Sequence, residues 1–512
     1  MENQLENSKR IAKNTVFLYI RMLVVMAITL YTSRVVLNTL GVEDFGIQNV
    51  VGGFVSMFSL ISGSMQTTIS RFLTFEIGHG DSKRLIRIFS SSVNIQVAIS
   101  LLVIILAETI GLWFLNYKMN IPEDRWMAAN WVFQFSLATF FFSLVSAPFS
   151  SSLIAHERMS AYAYISIIDV CLKLGIVYIV IISQWDKLIF YSALLMLVSL
   201  STCILYIIYC SIKFSECRYR FIFDKAILKE MGGFAGWNYM GSIAYVLRGQ
   251  GINVLMNLFF GVAVNAARGI TSQVESAVAQ FSSSFIMAIN PQITKSYARD
   301  DRVYLHKLIC KGAKYSYYLM MLIVIPLLFE TPIILSIWLK NVPEYTVLFT
   351  RLTLIVALFD VFSTPITTAI LATGEIKKLQ IQLSGIMIAI FPVSYILYLG
   401  GLPAYTCYIV CGLAVIARLV VELPIIHRLI GMPIKMFITE VIIKSLFVTV
   451  LSLIVPISII LLMDESILRL VCLVLLSSIF TMISMYLVGL TPKERNIIVD
   501  KIKGVKCFES YK

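Results

Sequence analysis

Fourteen apolar stretches, each long enough for a helix of about 20 residues to cross a hydrocarbon core of about 30 Å, recur along the chain with short polar breaks between them. They read as 14–38, 47–76, 87–115, 128–154, 160–183, 188–212, 232–259, 263–291, 312–339, 346–372, 379–399, 403–427, 436–462 and 467–490. A bilayer offers no water to unpaired peptide groups, so a chain of this kind is driven to a bundle of helices closed on their own hydrogen bonds. With 58% hydrophobic and 14% charged residues, a soluble globule is excluded. The predicted class is an all-α polytopic membrane protein with about 14 transmembrane helices. The first apolar run is longer than the core of a signal peptide and reads as helix one.

Loop charges give this count a direction. With both termini cytoplasmic, the inward loops and tails carry twenty-eight Lys and Arg, whereas the outward loops keep only Lys118, Arg125, Lys187, Lys340 and Arg469. That asymmetry follows the positive-inside rule, and it accounts for most of the formal net charge of +13 without a nucleic-acid partner. The nine cysteines are dispersed and imply no disulfide framework. The four histidines, His79, His156, His306 and His427, lack metal-ligand spacing. No metal or cofactor is expected.

Two internal echoes point to a duplicated unit. Ser146-Ala147-Pro148-Phe149-Ser150-Ser151 returns 217 residues later as Ser363-Thr364-Pro365-Ile366-Thr367-Thr368, and Leu40-Gly41-Val42 returns 220 residues later as Phe260-Gly261-Val262. The expected plan is two six-helix lobes as parallel repeats: residues 1–213, a cytoplasmic linker 214–231, and residues 232–428. Two appended helices over 436–490 and a basic cytoplasmic tail over 491–512 follow. Matched helix interruptions mark the moving parts of transporters, so Pro148 and Pro365, with Gly249 and Gly251, are the expected hinges.

Polar and ionisable residues inside the spans mark candidate sites, because a charge at bilayer depth is costly and is usually turned inward or paired. Arg248, mid-span and followed by the two glycines, is the leading cation. Arg21, Arg34 and Arg268 complete the set, although Arg34 and Arg268 also lie where a side chain can snorkel outward. Helices two and eight are rich in Ser, Thr and Gln, and Ser59, Gln66, Gln273 and Ser276 are the expected polar lining. Asp169 precedes Lys173 by four residues, the spacing of an ion pair. Arg268 and Glu275 are expected to line one wall without touching. Glu108, Glu275 and Asp360 lack an obvious partner on their own helices, which makes them, with Asp169, candidates for ion coupling.

Catalytic classes fare poorly. The chain has no phosphate-binding Gly-rich loop, HExxH pair, nucleophile elbow or acidic metal cluster, and no enzyme activity is expected. A glycan polymerase or ligase would require a sizeable outward loop, and the best candidate, 116–127, is short.

The run Arg34-Val35-Val36-Leu37-Asn38-Thr39-Leu40-Gly41-Val42-Glu43-Asp44-Phe45-Gly46-Ile47-Gln48-Asn49-Val50, followed by Ser70-Arg71-Phe72-Leu73 and Gly78-His79-Gly80-Asp81, resembles the amino-terminal signature of Wzx-type polysaccharide exporters. These flippases belong to the multidrug/oligosaccharidyl-lipid/polysaccharide exporter superfamily. The resemblance implies a V-shaped, alternating-access fold in a bacterial inner membrane. It also implies movement of a polyprenyl-diphosphate-linked oligosaccharide to the outer leaflet for O-antigen, lipopolysaccharide or related surface polysaccharide assembly. Implied partners are the lipid-linked oligosaccharide, membrane lipids, and the glycan polymerase and export machinery. Protons, sodium ions and the membrane potential are the alternatives for coupling. An ion-coupled multidrug extruder of the same superfamily is the alternative function.

The charge asymmetry makes a direct prediction. In a cysteine-depleted background, an impermeant thiol reagent applied from outside is expected to label positions 43, 122 and 343 and to spare position 220. The reverse pattern refutes the topology.

Overall fold

The computed structural model describes residues 2–56, 59–117, 122–339, 342–492 and 494–496, a few of them by backbone alone. Loop cations Lys118 and Lys340, the Ser59 side chain, Lys493 and the tail from Ile497 onward lie outside the described residues. Among the described residues the chain is helical, without strands. Ten helices are long and apolar enough to cross a membrane, or eleven if one bent pair is a single span. The other three expected spans, 47–76, 232–259 and 263–291, are helical but fall short of that standard among the described residues. The chain is a multi-pass membrane protein.

The amino-terminal helices are α1 (Glu2–Ser56), α2 (Ser59–His79), α3 (Ser82–Leu106), α4 (Leu112–Tyr117), α5 (Trp126–Ala155), α6 (Met159–Ile182) and α7 (Lys187–Lys213). With Lys225–Ile243 and two later segments, Met287–Arg302 and Leu371–Gln380, they form the first of two compact units. Helix α5 is its axis. It is largely apolar, with one stripe of small hydroxyl residues, and Val132, Phe133 and Leu144 lie in a core with Val51 of α1 and Val103 of α3. At its other end Phe149 meets Phe89 of α3 edge to face, with ring centroids 5.1 Å apart. The turn after α5 puts Glu157 at φ +60°, and its buried carboxylate accepts from Lys295 Nζ at 2.5 Å and Gln292 Nε2 at 2.6 Å.

Two glycines set the course of the chain. Helix α1 leaves helical geometry at Gly41 (φ 82°, ψ 171°), and α8 (Lys225–Ala298) does so at Gly261 (φ 78°, ψ −173°). Side-chain-bearing residues almost never occupy this region. A Cβ at either position would meet nothing within 4 Å, so backbone conformation alone demands glycine there. These are the two positions that the Leu-Gly-Val and Phe-Gly-Val echo aligns.

The later helices are α9 (Arg302–Phe329), α10 (Thr331–Trp338), α11 (Thr346–Asp360), α12 (Ser363–Thr373), α13 (Lys377–Leu399), α14 (Thr406–Ile430), α15 (Ile434–Phe437), α16 (Lys444–Ser452), α17 (Ile454–Leu462) and α18 (Ile467–Ser484). The second unit comprises Ala244–Ile286, Val303–Ile370 and Ile381–Lys512. Its core joins Leu255 and Met256 of α8 to Phe349 of α11, Ile390 of α13 and Cys411 of α14. The appended segment is strapped to α9 at two levels. Glu330, just beyond α9, takes a two-pronged ion pair from Arg469 at 2.9 and 3.1 Å, with both side chains buried. Near the middle of α9, Lys314 Nζ donates to the Gly489 carbonyl at 3.0 Å and to Glu494 at 3.2 Å. Burial opposes ionisation of Glu494, but the Tyr315 hydroxyl, the Thr491 amide, Lys314 and Lys311 overcome it and bring the carboxyl down to about 2. Arg351 closes the end of α9 by donating to the Leu328 and Phe329 carbonyls at 2.9 and 3.3 Å.

The left-handed glycines generate a test. Gly41→Ala and Gly261→Ala are each expected to cost about 1–3 kcal/mol. Gly269→Ala, at a helical position of α8 with open space around it, is expected to be neutral or stabilising. Thermal unfolding of the purified protein reads the difference, and equal midpoints for all three would contradict it.

Candidate functional site

Each unit brings polar side chains together inside an apolar frame. In the first unit, α1, α2, α5, α6 and α7 enclose a cavity of about 640 Å³. Arg21 of α1 reaches it with its guanidinium 4.8 Å from the Tyr162 ring centre, and its buried Nε has no partner. Asp169 and Lys173 of α6 form the pair their spacing implies, at 2.7 Å, and Thr202 of α7 donates to the other Asp169 oxygen at 3.1 Å. The rest of the lining is largely hydroxyl and amide. Gln66 Nε2 donates to Ser150 at 3.3 Å and Ser192 to Gln48 at 2.8 Å. Ser146 and Ser150 of the proline motif stand in this wall, whereas α5 continues as one helix through Pro148 to Ala155. The fixed charges are two cations and one carboxylate.

In the second unit the site is built on the two arms of α8. The break at Gly261 lets the arms fold back, so that Arg248 before it meets Glu275 after it. Arg248 Nη2 lies 3.6 Å from Glu275 Oε1, and Arg268 Nη1 lies 3.5 Å from Oε2. Two guanidinium groups thus share one carboxylate, each facing a different oxygen. Their side chains are 14% and 8% exposed and that of Glu275 is 28% exposed. Arg248 rests 4.9 Å from the Tyr245 ring centre and Arg268 5.6 Å from that of Tyr408. The Nε atoms of both arginines are buried without a hydrogen-bond partner.

Several expectations change on this geometry. Arg268 and Glu275 do touch, because seven residues on a helix is close to two full turns and both side chains are long. Glu275 therefore has a partner on its own helix and a second one across the break. Asp360 is paired as well, from another helix, with Arg418 Nη1 at 2.9 Å from its Oδ1. Gly249 and Gly251 continue the helix; the departure comes at Gly261. Gly251 serves packing instead, since a Cβ there would fall 2.7 Å from the Phe391 ring. Pro365 sits in the first turn of α12, where its missing N–H costs little, just after the break at which α11 and α12 bend by 44°.

The remaining candidates are dispersed. Gln66 lines the first cavity, whereas Arg34 is exposed. Gln273 and Ser276 are exposed on α8, and Ser276 donates to its own helix at Ser272. Glu108 lies half-buried in a π-helical turn, Ala107–Gly111, that follows α3. Sequence reasoning passed over Arg418 and Glu422, which form a buried pair at 3.0 Å on α14. Their i, i+4 spacing inside the apolar run 403–427 was the available signal.

No family model matches the chain, and no curated relative matches it. Solved structures match it well. A MATE protein in its bent conformation superposes with a TM-score of 0.74 at 13% identity, over 83% of this chain and 96% of that one. The outward-facing conformation of a multidrug resistance MATE family transporter of the MOP superfamily gives 0.70 at 12% identity, over 82% and 96%. A MOP superfamily transporter from Pyrococcus furiosus, described as having a binding pocket of reverse polarity that suggests a different function, gives 0.67 at 13% identity, over 83% and 96%. The chain has the fold of transporters of the MOP superfamily.

Proposed function

We propose that this protein is a membrane transporter that carries an anionic, polyprenyl-diphosphate-linked oligosaccharide from the cytoplasmic to the outer leaflet of a bacterial inner membrane. One observation carries the reading: Arg248 and Arg268 share the single carboxylate of Glu275, leaving one positive charge and two unpaired Nε donors. A guanidinium in a poorly hydrated place costs several kcal/mol unless an anion meets it. A diphosphate offers the paired, charged oxygens that a planar guanidinium fork binds in two-pronged fashion. In the first unit, the hydroxyl and amide lining around Arg21 suits sugar hydroxyls, which need many moderate hydrogen bonds more than charge. The amino-terminal resemblance to Wzx-type exporters points the same way. With the cytoplasm negative, outward movement of each uncompensated negative charge gains about 2.3 kcal/mol per 100 mV.

An ion-coupled drug extruder is the second reading. It is favoured by the likeness to solved MATE structures, one of them described as a multidrug resistance transporter. Such a site is expected to centre carboxylates for cationic drugs, whereas the α8 site holds two arginines to one glutamate.

The two readings separate in cells. In a strain lacking its own exporter, the wild-type chain is expected to restore surface-glycan display and to leave drug susceptibility unchanged. Arg248→Ala is expected to reduce display on the order of ten- to a hundredfold, the loss of one charge-assisted contact, at normal membrane abundance. Lys is expected to rescue only partly, since it offers a point charge. Restored drug resistance without glycan display would select the second reading.

A further inference from the structure

The second unit holds another buried ionic cluster, at the bend between α11 and α12, which the α8 site does not use. Helix α11 ends on Asp360, α12 begins at Ser363 and carries Thr367, and α14 supplies Arg418 and Glu422 one turn apart. Arg418 reaches all three helices. Its Nη1 donates to Asp360 at 2.9 Å, its Nη2 to Thr367 Oγ1 at 2.8 Å and its Nε to Glu422 Oε1 at 3.0 Å. The Thr367 hydroxyl donates to that same Oε1 at 2.7 Å.

Both donors that reach Glu422, Arg418 Nε and the Thr367 hydroxyl, therefore converge on one of its oxygens. The other, Oε2, is buried without a partner, and the residue has 0% exposure. The Ser363 hydroxyl, also at 0% exposure, lies beside this carboxylate and closes no hydrogen bond of good geometry. Two unpartnered polar atoms thus lie side by side. The charges do not balance either, because Asp360 and Glu422 stand against the single cation Arg418. Asp360 has a side chain 43% exposed, whereas Glu422 is enclosed. The unbalanced charge therefore falls on Glu422, where water does not reach.

We propose that Glu422 is a proton-binding site, taking up one proton on Oε2 and donating it in a hydrogen bond to Ser363 Oγ. That single event removes the buried excess charge and satisfies both orphaned atoms. A metal cation fits less well: hard cations take six or more oxygen ligands, and among the described residues of the cluster only Oε2 and Ser363 Oγ are both buried and uncommitted. The charged groups facing Glu422 are Arg418 on its own helix and, through Arg418, Asp360 on α11. Asp360 is the exposed member of the cluster and is the entry point this proposal assigns to the proton. Because Arg418 holds both α11 and α12, the protonation state of Glu422 acts on the 44° bend between them.

Infrared difference spectroscopy of the full chain in lipid nanodiscs tests this without any substrate, so its outcome is independent of the proposed cargo. A pH titration is expected to show a protonated-carboxyl band that shifts in heavy water. Glu422→Gln, which keeps the shape of the side chain, is expected to remove one carboxyl equivalent. Ser363→Ala, the variant least disturbing to the fold, is expected to keep the band and move its frequency, because the acceptor is gone. Asp360→Asn is expected to slow its deuterium exchange severalfold. A spectrum unchanged by Glu422→Gln, or a carboxylate band that responds to sodium ions and not to pH, would overturn the proposal.

Discussion

An ionic group inside an apolar bundle has to find an opposite charge, because the interior returns little of the hydration it removes. That constraint organises the described charges of this chain. Glu330 and Arg469 balance one to one and tie the appended helices to the end of α9. Lys295 and Gln292 enclose Glu157 in the turn after α5. Removing one partner from such a pair leaves a stranded charge and costs about 3–5 kcal/mol, so these contacts act as structural fasteners. Two clusters at interruptions of a helix carry charges that do not cancel. One has an extra guanidinium at the break of α8, and the other an extra carboxylate at the bend of α11 and α12.

Both unbalanced clusters sit where a helix is interrupted, and in each the interruption does the positioning. Gly261 turns α8 back, so that Arg248 reaches a carboxylate 27 residues further on in sequence. The break after Asp360 places an acid at the end of α11 and Ser363 at the start of α12, and both face α14. A continuous helix would hold these groups on fixed faces, three or four residues apart. The interruptions bring distant residues together and leave hydrogen-bonding capacity unspent.

Much of the frame was legible in the sequence because its signals are local. Apolar run length marks helices, and the Leu-Gly-Val and Phe-Gly-Val echo marks the two positions that require a left-handed glycine. Asp169 and Lys173 pair as their spacing implies. The site was only partly legible, because pairing across a break or between helices leaves no periodic trace. Glu275 and Asp360 looked unpartnered for that reason, while their partners Arg248 and Arg418 lie on other helical segments. Arg418 and Glu422 carried a spacing signal, but nothing marked it as part of a larger cluster. Gly251 misled because glycine also serves close packing, here against Phe391, while Gly249 stands in open space on a continuous helix.

The fold is shared with solved MOP superfamily structures, one of them described as a multidrug resistance transporter and another as suggesting a different function, so the proposed cargo rests on the charge of the site. The central claim is that the pair of guanidinium groups on Glu275 retains capacity for one more anion. Native mass spectrometry of the full chain with a short-chain polyprenyl diphosphate measures this directly. The account predicts one bound diphosphate per chain, lost when Arg248 and Arg268 are both changed to alanine and strengthened by Glu275→Gln, which frees the arginines from their internal competitor. Binding that is absent from the wild-type chain, or equal in all three proteins, would contradict it.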